Sequence, residues 1–396
     1  MIKKKILMIA PTPFYSNRGC HMRIFEEARW LSKDHYLVKI VTYQVGDNPE
    51  GFDVERIPDW FFWSRVGLKA NQPTWHKIYL DFFLLLKTFV VAIKFRPAVL
   101  HCHLHEGALI GLLVGPLLGA KVIFDSQGGL TDELSRFKMI EKGSLLYGIF
   151  LLIEKAIYRL VPTIVASNES NYAMLRDLFK VPETKLRLVP DAISFDIKTD
   201  PKVTETLRKE MKIPSDRKVI VYLGSYTEVQ NVEAVLKLAE VMKSKRQDIF
   251  WVLRGNGDVA HYQNLVQTLK LSDRVYLGDV IPYLDSQSYL ALGDFAITLK
   301  LRTTESNGKL LSYALARLPI IALDHQSNRS LIGDSACYLG GDGDYEAWSS
   351  KLSKYLDLPK STHEETARQL EKKIKACYAW ESIIKKLESI YDGDNI

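Results

Sequence analysis

The sequence predicts an α/β protein with two domains, each built on a doubly wound parallel sheet, that face each other across a cleft. Three observations support this fold class. The chain has 396 residues, which suits two cores of ordinary size better than one. Short apolar runs alternate with helical runs, as in a parallel sheet covered by helices. The alternation stops in a polar stretch at residues 190–201 and starts again after it, which predicts two similar halves.

The first half begins with a strand at residues 5–10 that ends in a proline-rich turn, followed by a helix at about 22–32. Further strands are predicted at 38–43, 99–103, 121–125 and 163–167, with a small apolar helix at 107–118. The second half has predicted strands at 218–223, 249–253, 295–299 and 320–323. We place the first domain at 1–195, the second at 196–376 and a final helix at 377–396. Ligands of such sheets bind beyond the carboxyl ends of the strands, so the cleft is the expected site.

Cysteine usage and net charge limit the functional classes. The four cysteines are scattered without a CxxC pair, which argues against zinc and disulfide frameworks and favours a reduced, cytoplasmic setting. The net charge of +6 is mild. It favours anionic partners such as nucleotide phosphates or an acidic membrane surface, and no nucleic-acid partner is expected.

Two apolar segments resemble membrane spans. Residues 79–95 contain Asp81, Lys87 and Lys94, and residues 145–161 also carry three charges. A span needs about 20 residues with few charges, so we interpret both segments as amphipathic helices. Either they pack in the core, or they insert shallowly in a membrane surface, in which case the protein is peripheral on the inner face of the membrane.

The segment at residues 304–311, TESNGKLL, follows a predicted strand and leads into a helix. Asn307 and Gly308 predict a tight turn, and backbone N–H groups at a helix start attract phosphate. Lys309 then lies in the first helical turn, where the helix dipole disfavours a cation, so its presence indicates an anionic partner. The alternative is a solvated loop lysine beside a chance Asn-Gly turn.

Residues 305–322, ESNGKLLSYALARLPIIA, resemble the donor-binding motif of retaining GT-B glycosyltransferases of family 4, and Pro319 keeps its place in that motif. Other similarities follow in the family's order along nearly the whole chain. They are the first strand at 5–10, the loop with Gly19, His103 in LHCHLHEG, the interdomain signature Val189-Pro190-Asp191-Ala192, and Trp380-Glu381 at the start of the C-terminal helix.

This resemblance implies the GT-B fold of two Rossmann-like domains, with the final helix returning to the first domain. It also implies transfer of a sugar, of the hexosyl type, from a nucleotide diphosphate-sugar to an acceptor hydroxyl with retention. No cofactor and no catalytic metal are implied, because the nucleotide-sugar is a substrate. His103 would position the reacting sugar and Lys309 would stabilise the leaving diphosphate. The donor-binding candidates are Gly19, Ser225, Gln230, Arg254, Gly255, Arg302, Thr304, Glu305, Ser306, Asn307, Gly308, Lys309, Leu310 and Ser312.

The sequence departs from the family's pattern at several of these positions. Ser312 stands where the family has the Glu that holds the ribose, and the preceding Glu of the motif is displaced by one position to Glu305. Ser225 and Gln230 stand where the family has a basic pair for the diphosphate. The diphosphate charge must then be met elsewhere. Lys309 is the first candidate, followed by Arg302, Lys300 and Arg254.

Further polar clusters are candidates for the acceptor. Asp125 and Gln127 lie in a glycine-rich turn after a strand, where they could hold acceptor hydroxyls, although a plain turn is an equal alternative. Arg18, His21 and Arg23 lie near the first loop, where they could bind an acceptor phosphate or form solvated helix-start charge.

Two other patterns have a structural alternative. His101, His103 and His105 alternate, which puts all three on one face if the strand extends that far, but we expect no metal. Gly255 and Gly257 end a strand, and we expect them to allow close approach of the nucleotide, although they make no full dinucleotide fingerprint.

Two rival functions remain open. One is a nucleotide-sugar epimerase or phosphorylase on the same fold. The other is a catalytically degenerate member that serves as a subunit or binding protein. For the glycosyltransferase itself, a lipid-linked acceptor is our preferred expectation over a glycan, because two apolar amphipathic helices occur in the domain that binds the acceptor in this fold.

Overall fold

The chain forms two compact units. The computed structural model describes residues 3–15, 19–33, 35–58, 75–341 and 343–393. The first unit comprises Met1–Asp191, Thr303–Ser306 and Trp380–Ile396, and the second comprises Ala192–Arg302 and Asn307–Ala379. After leaving the first unit at Asp191, the chain therefore enters it again twice.

The first unit contains a parallel sheet. Its strands are β1 (Lys4–Ala10), β2 (Tyr36–Thr42), β3 (Asp53–Arg56), β4 (Val99–His103), β5 (Lys121–Ser126), β6 (Thr163–Ala166) and β7 (Leu186–Leu188). Its helices up to Ala173 are α1 (Gly19–Lys33), α2 (His76–Phe95), α3 (Leu104–Leu118), α4 (Leu130–Arg136), α5 (Leu145–Leu160) and α6 (Glu169–Ala173), and a π-helical turn follows at Met174–Leu178.

The strand order β3-β2-β1-β4-β5-β6-β7 places the helices on two faces of this sheet. Every strand pair is parallel. Helix α1 connects β1 to β2 in one direction along the sheet, whereas α2, α3 and α5 lie in connections that run in the other direction. Because such crossovers are right-handed, α1 covers one face and α2, α3 and α5 cover the opposite face.

The second unit repeats this architecture. Its strands are β8 (Lys218–Leu223), β9 (Ile249–Arg254), β10 (Val275–Gly278), β11 (Phe295–Thr298), β12 (Ile320–Leu323) and β13 (Ala336–Leu339), in the parallel order β10-β9-β8-β11-β12-β13. Its helices are α7 (Pro201–Glu210), α8 (Val232–Lys245), α9 (Val259–Thr268), α10 (Ser286–Leu290), α11 (Lys309–Leu315), α12 (Gln326–Ile332), α13 (Tyr345–Leu356) and α14 (Lys360–Tyr378). Strands β9, β11 and β12 are buried along their whole length, as expected for strands covered on both faces.

The last helix, α15 (Trp380–Asp392), belongs to the first unit and packs against α1. The ammonium group of Lys4 donates to the carbonyl oxygen of Tyr391 at 2.9 Å, and that of Lys121 donates to the carbonyl oxygen of Ile390 at 2.6 Å. Cations at a helix C-terminus satisfy its free carbonyl groups. Two parallel sheets with flanking helices confirm the predicted α/β fold class.

Candidate functional site

In the second unit, Lys309 lies at the start of α11, close to the end of β8. Its Nζ atom donates to the Gln230 side-chain oxygen and, at 3.2 Å, to the Tyr222 hydroxyl. The ammonium group also lies 4.4 Å from the centre of the Tyr222 ring, a cation–π contact. Gly224 provides the space, since a Cβ atom there would meet the Lys309 Nζ atom at 2.5 Å.

These partners of Lys309 carry no negative charge. Burial lowers the pKa of Lys309 well below its usual value, and the nearby Lys300 ammonium lowers it further. None of the ion pairs within the described part of the chain involves Lys309. A cation held among neutral oxygens is stabilised when an anion arrives. The site is therefore electrostatically prepared for an anionic ligand.

The residues just before Lys309 form the start of α11. The Leu310 amide donates to the carbonyl oxygen of Asn307 at 3.0 Å, which closes a turn over Gly308, and Gly308 has a helical φ of −54° and ψ of −23°. A Cβ atom at Gly308 would meet open space, so the glycine leaves room beside Lys309. Asn307 is buried, and its amide donates to the Asn328 side chain at 3.0 Å, which fixes the loop. Leu310 is buried, and Ser312 is partly exposed one turn further on.

The segment Thr303–Ser306 clusters with the first unit, although the sequence predicts one continuous donor segment in the second domain. The Thr304 hydroxyl accepts a hydrogen bond from the Gly129 amide at 3.3 Å, and its carbonyl accepts one from Asn168 at 3.0 Å. Glu305 pairs with Arg136. Ser306 interacts with Asp191. The negative charge of Glu305 is thus already balanced by Arg136.

The remaining donor candidates occupy different surroundings. Arg254 is buried, donates to the carbonyl oxygen of Asp279 and faces the Glu210 carboxylate at 3.5 Å, so its charge is partly compensated. Arg302 is exposed. Ser225 accepts a hydrogen bond from the Tyr222 hydroxyl through its carbonyl oxygen at 2.8 Å.

The two glycines after β9 lie where two backbone loops approach each other closely. A Cβ atom on Gly255 would lie 1.7 Å from the carbonyl oxygen of Gly224, and Gly257 has a φ of +132°. A bridge also pairs Tyr226 with Gly257. The glycines are needed because two backbone loops meet there.

In the first unit, a buried charge network surrounds Arg23. The guanidinium donates to both oxygens of Asp125, at 3.1 and 3.0 Å from Nε, and lies 3.1 Å from the Glu27 carboxylate and 3.0 Å from that of Asp191. Burial opposes the ionisation of Asp125, but Arg23 and then His103 outweigh it and hold the pKa of Asp125 well below its usual range. Arg23 is thus an internal partner of Asp125 rather than solvated helix-start charge.

The three histidines do not share one face. Strand β4 ends at His103 and Leu104 has a φ of +59°, so His105 lies in α3 instead of continuing the strand. His101 and His103 do lie together, with ring centres 4.5 Å apart. His105 hydrogen-bonds through Nε2 to the Tyr158 hydroxyl at 2.9 Å. The expected alternation fails because the strand is too short.

His103 is fully buried and lies beside Asp125, which is also fully buried. Its Nδ1 atom is 3.0 Å from Asp125 Oδ2, and burial, with His101 beside it, lowers the pKa of His103. The neutral ring therefore donates from Nδ1. Gln127 is partly exposed and donates to the same carboxylate oxygen at 2.9 Å. Hydrogen bonds thus connect the buried His103 and Asp125 to the partly exposed Gln127.

Three further candidates precede Arg23 in the sequence: Arg18 and His21 for the acceptor and Gly19 for the donor. His21 is buried and hydrogen-bonds to Thr12, so it is no surface charge. Gly19 begins α1 in open space. Arg18 lies outside the described residues.

Four ligand atoms in this network, from Glu27, His101, His103 and Asp125, lie within 4.8 Å of one another. Such a donor set is compatible with a transition metal. The guanidinium of Arg23 already lies 2.8 Å from Asp125 and 3.1 Å from Glu27, so it supplies the positive charge that these carboxylates need. The geometry accounts for the cluster as an ion-pair network.

Several residues of these sites were not predicted from the sequence. Tyr222, Arg136 and Tyr391 carry no local signal, since each meets its partner from a distant part of the chain. Tyr391 donates to or accepts from His101 Nδ1 at 2.7 Å across 290 residues. Glu27 could have been found, because it follows Arg23 by four residues on a helix and such pairs face each other.

Comparisons with known families divide the chain in two. Residues 203–376 match the model of the glycosyl transferases group 1, and residues 18–192 match that of the glycosyl transferase 4-like domain. Sequence comparison with curated proteins finds no match.

Solved structures match over nearly the full chain. Sucrose-phosphate synthase from Thermosynechococcus elongatus has a TM-score of 0.80 at 13% identity, covering 99% of both chains. Anabaena Alr3699/HepE, solved with UDP-glucose, has a TM-score of 0.76 at 12% identity, covering 98% of this chain and 100% of its own. WaaG, a glycosyltransferase involved in lipopolysaccharide biosynthesis, has a TM-score of 0.74 at 14% identity, covering 98% of this chain and 100% of its own. These similarities show a common fold.

Proposed function

Because the chain belongs to the glycosyltransferases, with a group 1 second unit and the GT-B fold, we propose that it transfers a hexosyl group from a nucleotide diphosphate-sugar to an acceptor hydroxyl with retention. The nucleotide-sugar donor is supported by the similarity to Alr3699/HepE, which was solved with UDP-glucose. Retention and the hexosyl class rest on the family 4 resemblance of residues 305–322. The proposed contact with an acceptor hydroxyl rests on the polar residues of the first unit.

The proposal depends on the surroundings of Lys309. Its ammonium group is held by Gln230 and Tyr222, which bring no negative charge, and burial lowers its pKa. In this chain Gln230 and Ser225 replace the family's basic pair, and Lys309 donates to Gln230 itself. One lysine therefore supplies positive charge beside the position that the pair occupies in relatives.

In the proposed reaction, negative charge grows on the leaving diphosphate as its bond to the sugar breaks. A fixed ammonium group near the end of β8 stabilises that charge more in the transition state than in the bound donor. Arg302, which is exposed, and Lys300 add positive potential. No enzymic nucleophile is assigned, since the acceptor oxygen attacks the sugar carbon on the face from which the diphosphate leaves and passes its proton to the departing diphosphate oxygen.

On the acceptor side, we assign Gln127 to contact with an acceptor or sugar hydroxyl, because it is the partly exposed end of the network. Asp125 and His103 are buried, so they act as positioning residues that fix the Gln127 amide. Arg23 keeps Asp125 ionised and therefore able to accept from both of them.

Thermal unfolding with UDP, GDP, ADP and their sugars tests the donor site, since a ligand that binds only the folded state raises the unfolding temperature. One nucleotide class should stabilise the protein, and Lys309→Met should remove most of that shift. The matched control is Lys218→Met, at the opposite end of β8, where the lysine caps the carbonyl of Leu356. The control should retain the full shift.

Nucleotide binding and assays of donor consumption together distinguish the rival functions. A nucleotide that stabilises the wild type, with no donor consumed in the presence of any acceptor, would identify a binding subunit. Sugar isomerisation without an acceptor would identify an epimerase. Undiminished nucleotide binding by Lys309→Met would overturn the assignment of the site.

A further inference from the structure

Three helices of the first unit expose an apolar surface. Fourteen of the twenty large hydrophobic side chains that are exposed among the described residues lie on α2, α3 and α5, which together contain only 51 residues. We call these fourteen the apolar face: Ile78, Phe82, Leu86, Phe89, Val90, Ile93, Leu109, Leu113, Leu117, Leu145, Leu146, Ile149, Leu152 and Leu160. Scattered exposed hydrophobics are ordinary, but a concentration of this kind marks a binding surface.

The three helices lie side by side. Helix α2 packs against α3, and α3 packs against α5, on the sheet face opposite α1. Trp75, just before α2, contacts Phe150 of α5 with ring centres 6.0 Å apart. On α2 the exposed residues recur every three or four positions, which forms one stripe along the helix. The exposed apolar side chains therefore lie on three neighbouring helices of one sheet face.

The charges around the apolar face have one dominant sign. Within residues 76–96, 104–120 and 138–160, the exposed basic residues are Lys94, Arg96, Lys138, Lys142, Lys155 and Arg159, and the exposed acidic residue is Glu141. The acidic side chains of α2 and α3 are engaged inside the unit, Asp81 with Tyr43 and Glu106 with Lys77. An apolar centre with a basic margin is complementary to anionic headgroups above acyl chains.

We infer that the apolar face binds an anionic lipid surface, with the aliphatic side chains inserted shallowly and the basic residues among the headgroups. No helix among the described residues is long and apolar enough to cross a membrane. The contact is therefore one that lies on the bilayer. Lipid binding does not depend on the proposed reaction, whereas a lipid-linked acceptor carried on that surface rests on the proposed function.

Flotation with phosphatidylcholine vesicles containing about 30% phosphatidylglycerol tests the inference. The purified full-length protein should float at low salt, and less of it at high salt or with phosphatidylcholine alone. The triple variant Phe82→Ser, Leu113→Ser, Leu152→Ser removes one side chain from each helix, with exposures of 56%, 59% and 68%. Its vesicle-bound fraction should fall at least about tenfold.

The matched control replaces exposed leucines outside the apolar face: Leu37→Ser, Leu284→Ser and Leu358→Ser, with exposures of 45%, 60% and 43%. This variant should float like the wild type. Circular dichroism and the nucleotide-induced thermal shift should be unchanged in both triple variants, which separates loss of lipid binding from loss of the fold or of the donor site.

Two results would overturn the inference. One is wild-type protein that stays in the soluble fraction at low salt. The other is equal flotation of the two triple variants. Sedimentation velocity tests an alternative occupant. If the wild type is a dimer, the apolar-face variant is a monomer and neither binds vesicles, the apolar face binds a second copy of the chain instead.

Discussion

At the scale of single residues, the lowered pKa of Lys309 has a measurable consequence for donor binding. A diphosphate beside the ammonium group favours its charged form and raises its pKa again. Affinity is therefore full below the lowered pKa of the free protein and declines as pH rises through it. Calorimetry in two buffers of different ionisation enthalpy should show proton uptake on nucleotide binding over that range. Lys309→Met should lose this proton uptake, and an unchanged value would contradict the assignment.

The network around Arg23 gives a second residue-scale prediction. Asp125→Asn leaves the Arg23 cation without its closest partner, and breaking a buried ion pair costs about 3–5 kcal/mol. Urea unfolding should show this loss. The double variant Arg23→Met, Asp125→Asn should lose less than the sum of the two single variants, because each single variant already breaks the Arg23–Asp125 pair. Strict additivity would show that the two side chains are not coupled.

The sequence identified Arg23 and Asp125 as candidates but not their contact. They are 102 residues apart in the chain, and Asp191 is a further partner of Arg23 at a separation of 168. Local spacing carries no information about such pairs. The contact between His103 and Asp125, 22 residues apart in the chain, was not predicted for the same reason.

At the scale of elements, we expect substitution of glycine by alanine to have very different effects on stability at Gly255 and at Gly308. Gly255→Ala should destabilise the second unit by several kcal/mol, since its Cβ atom would lie 1.7 Å from the Gly224 carbonyl oxygen. Gly308→Ala should change stability by less than about 0.5 kcal/mol, because the backbone is helical and the space is open.

Chemical unfolding with nucleotide titration measures both effects. If the donor packs against Gly308, Gly308→Ala should weaken nucleotide binding while the free protein keeps its stability. Unchanged binding would place the ligand away from the start of α11.

Most strands were predictable from their apolar runs, including β6, β11 and β12, which have only four residues each. Strands β3, β7, β10 and β13 were not predicted. Strand β3, with the sequence DVER, is mostly charged, and β7 has only three residues with an arginine at its centre. The position of Thr303–Ser306 in the first unit was also missed, because it depends on contacts with Gly129, Arg136 and Asn168 rather than on local sequence.

At the scale of the whole molecule, α15 follows the second unit in the chain but stabilises the first. Removing residues 380–396 should lower the unfolding temperature of the first unit, because buried side chains of α15 such as Trp380, Leu387 and Tyr391 are lost from its core. The second unit should be much less affected. Calorimetry that resolves the two transitions measures the difference, and an equal shift in both would contradict the division.

Tyr391→Phe is the milder companion of that deletion. It removes the hydroxyl that bonds His101 and should cost about 1 kcal/mol, the usual net value of such a bond. A loss as large as that of the deletion would show that α15 acts through this one bond rather than through packing.

The membership of α15 in the first unit also governs the order of events during synthesis. Residues 1–191 leave the ribosome long before Tyr391, and at ordinary elongation rates the remaining 200 residues take roughly 10 to 40 s. Throughout that interval the surface of α1 that packs against α15 is exposed, and His101 lacks its hydrogen bond with the Tyr391 hydroxyl. The nascent first unit is therefore completed only after α15 has been synthesised.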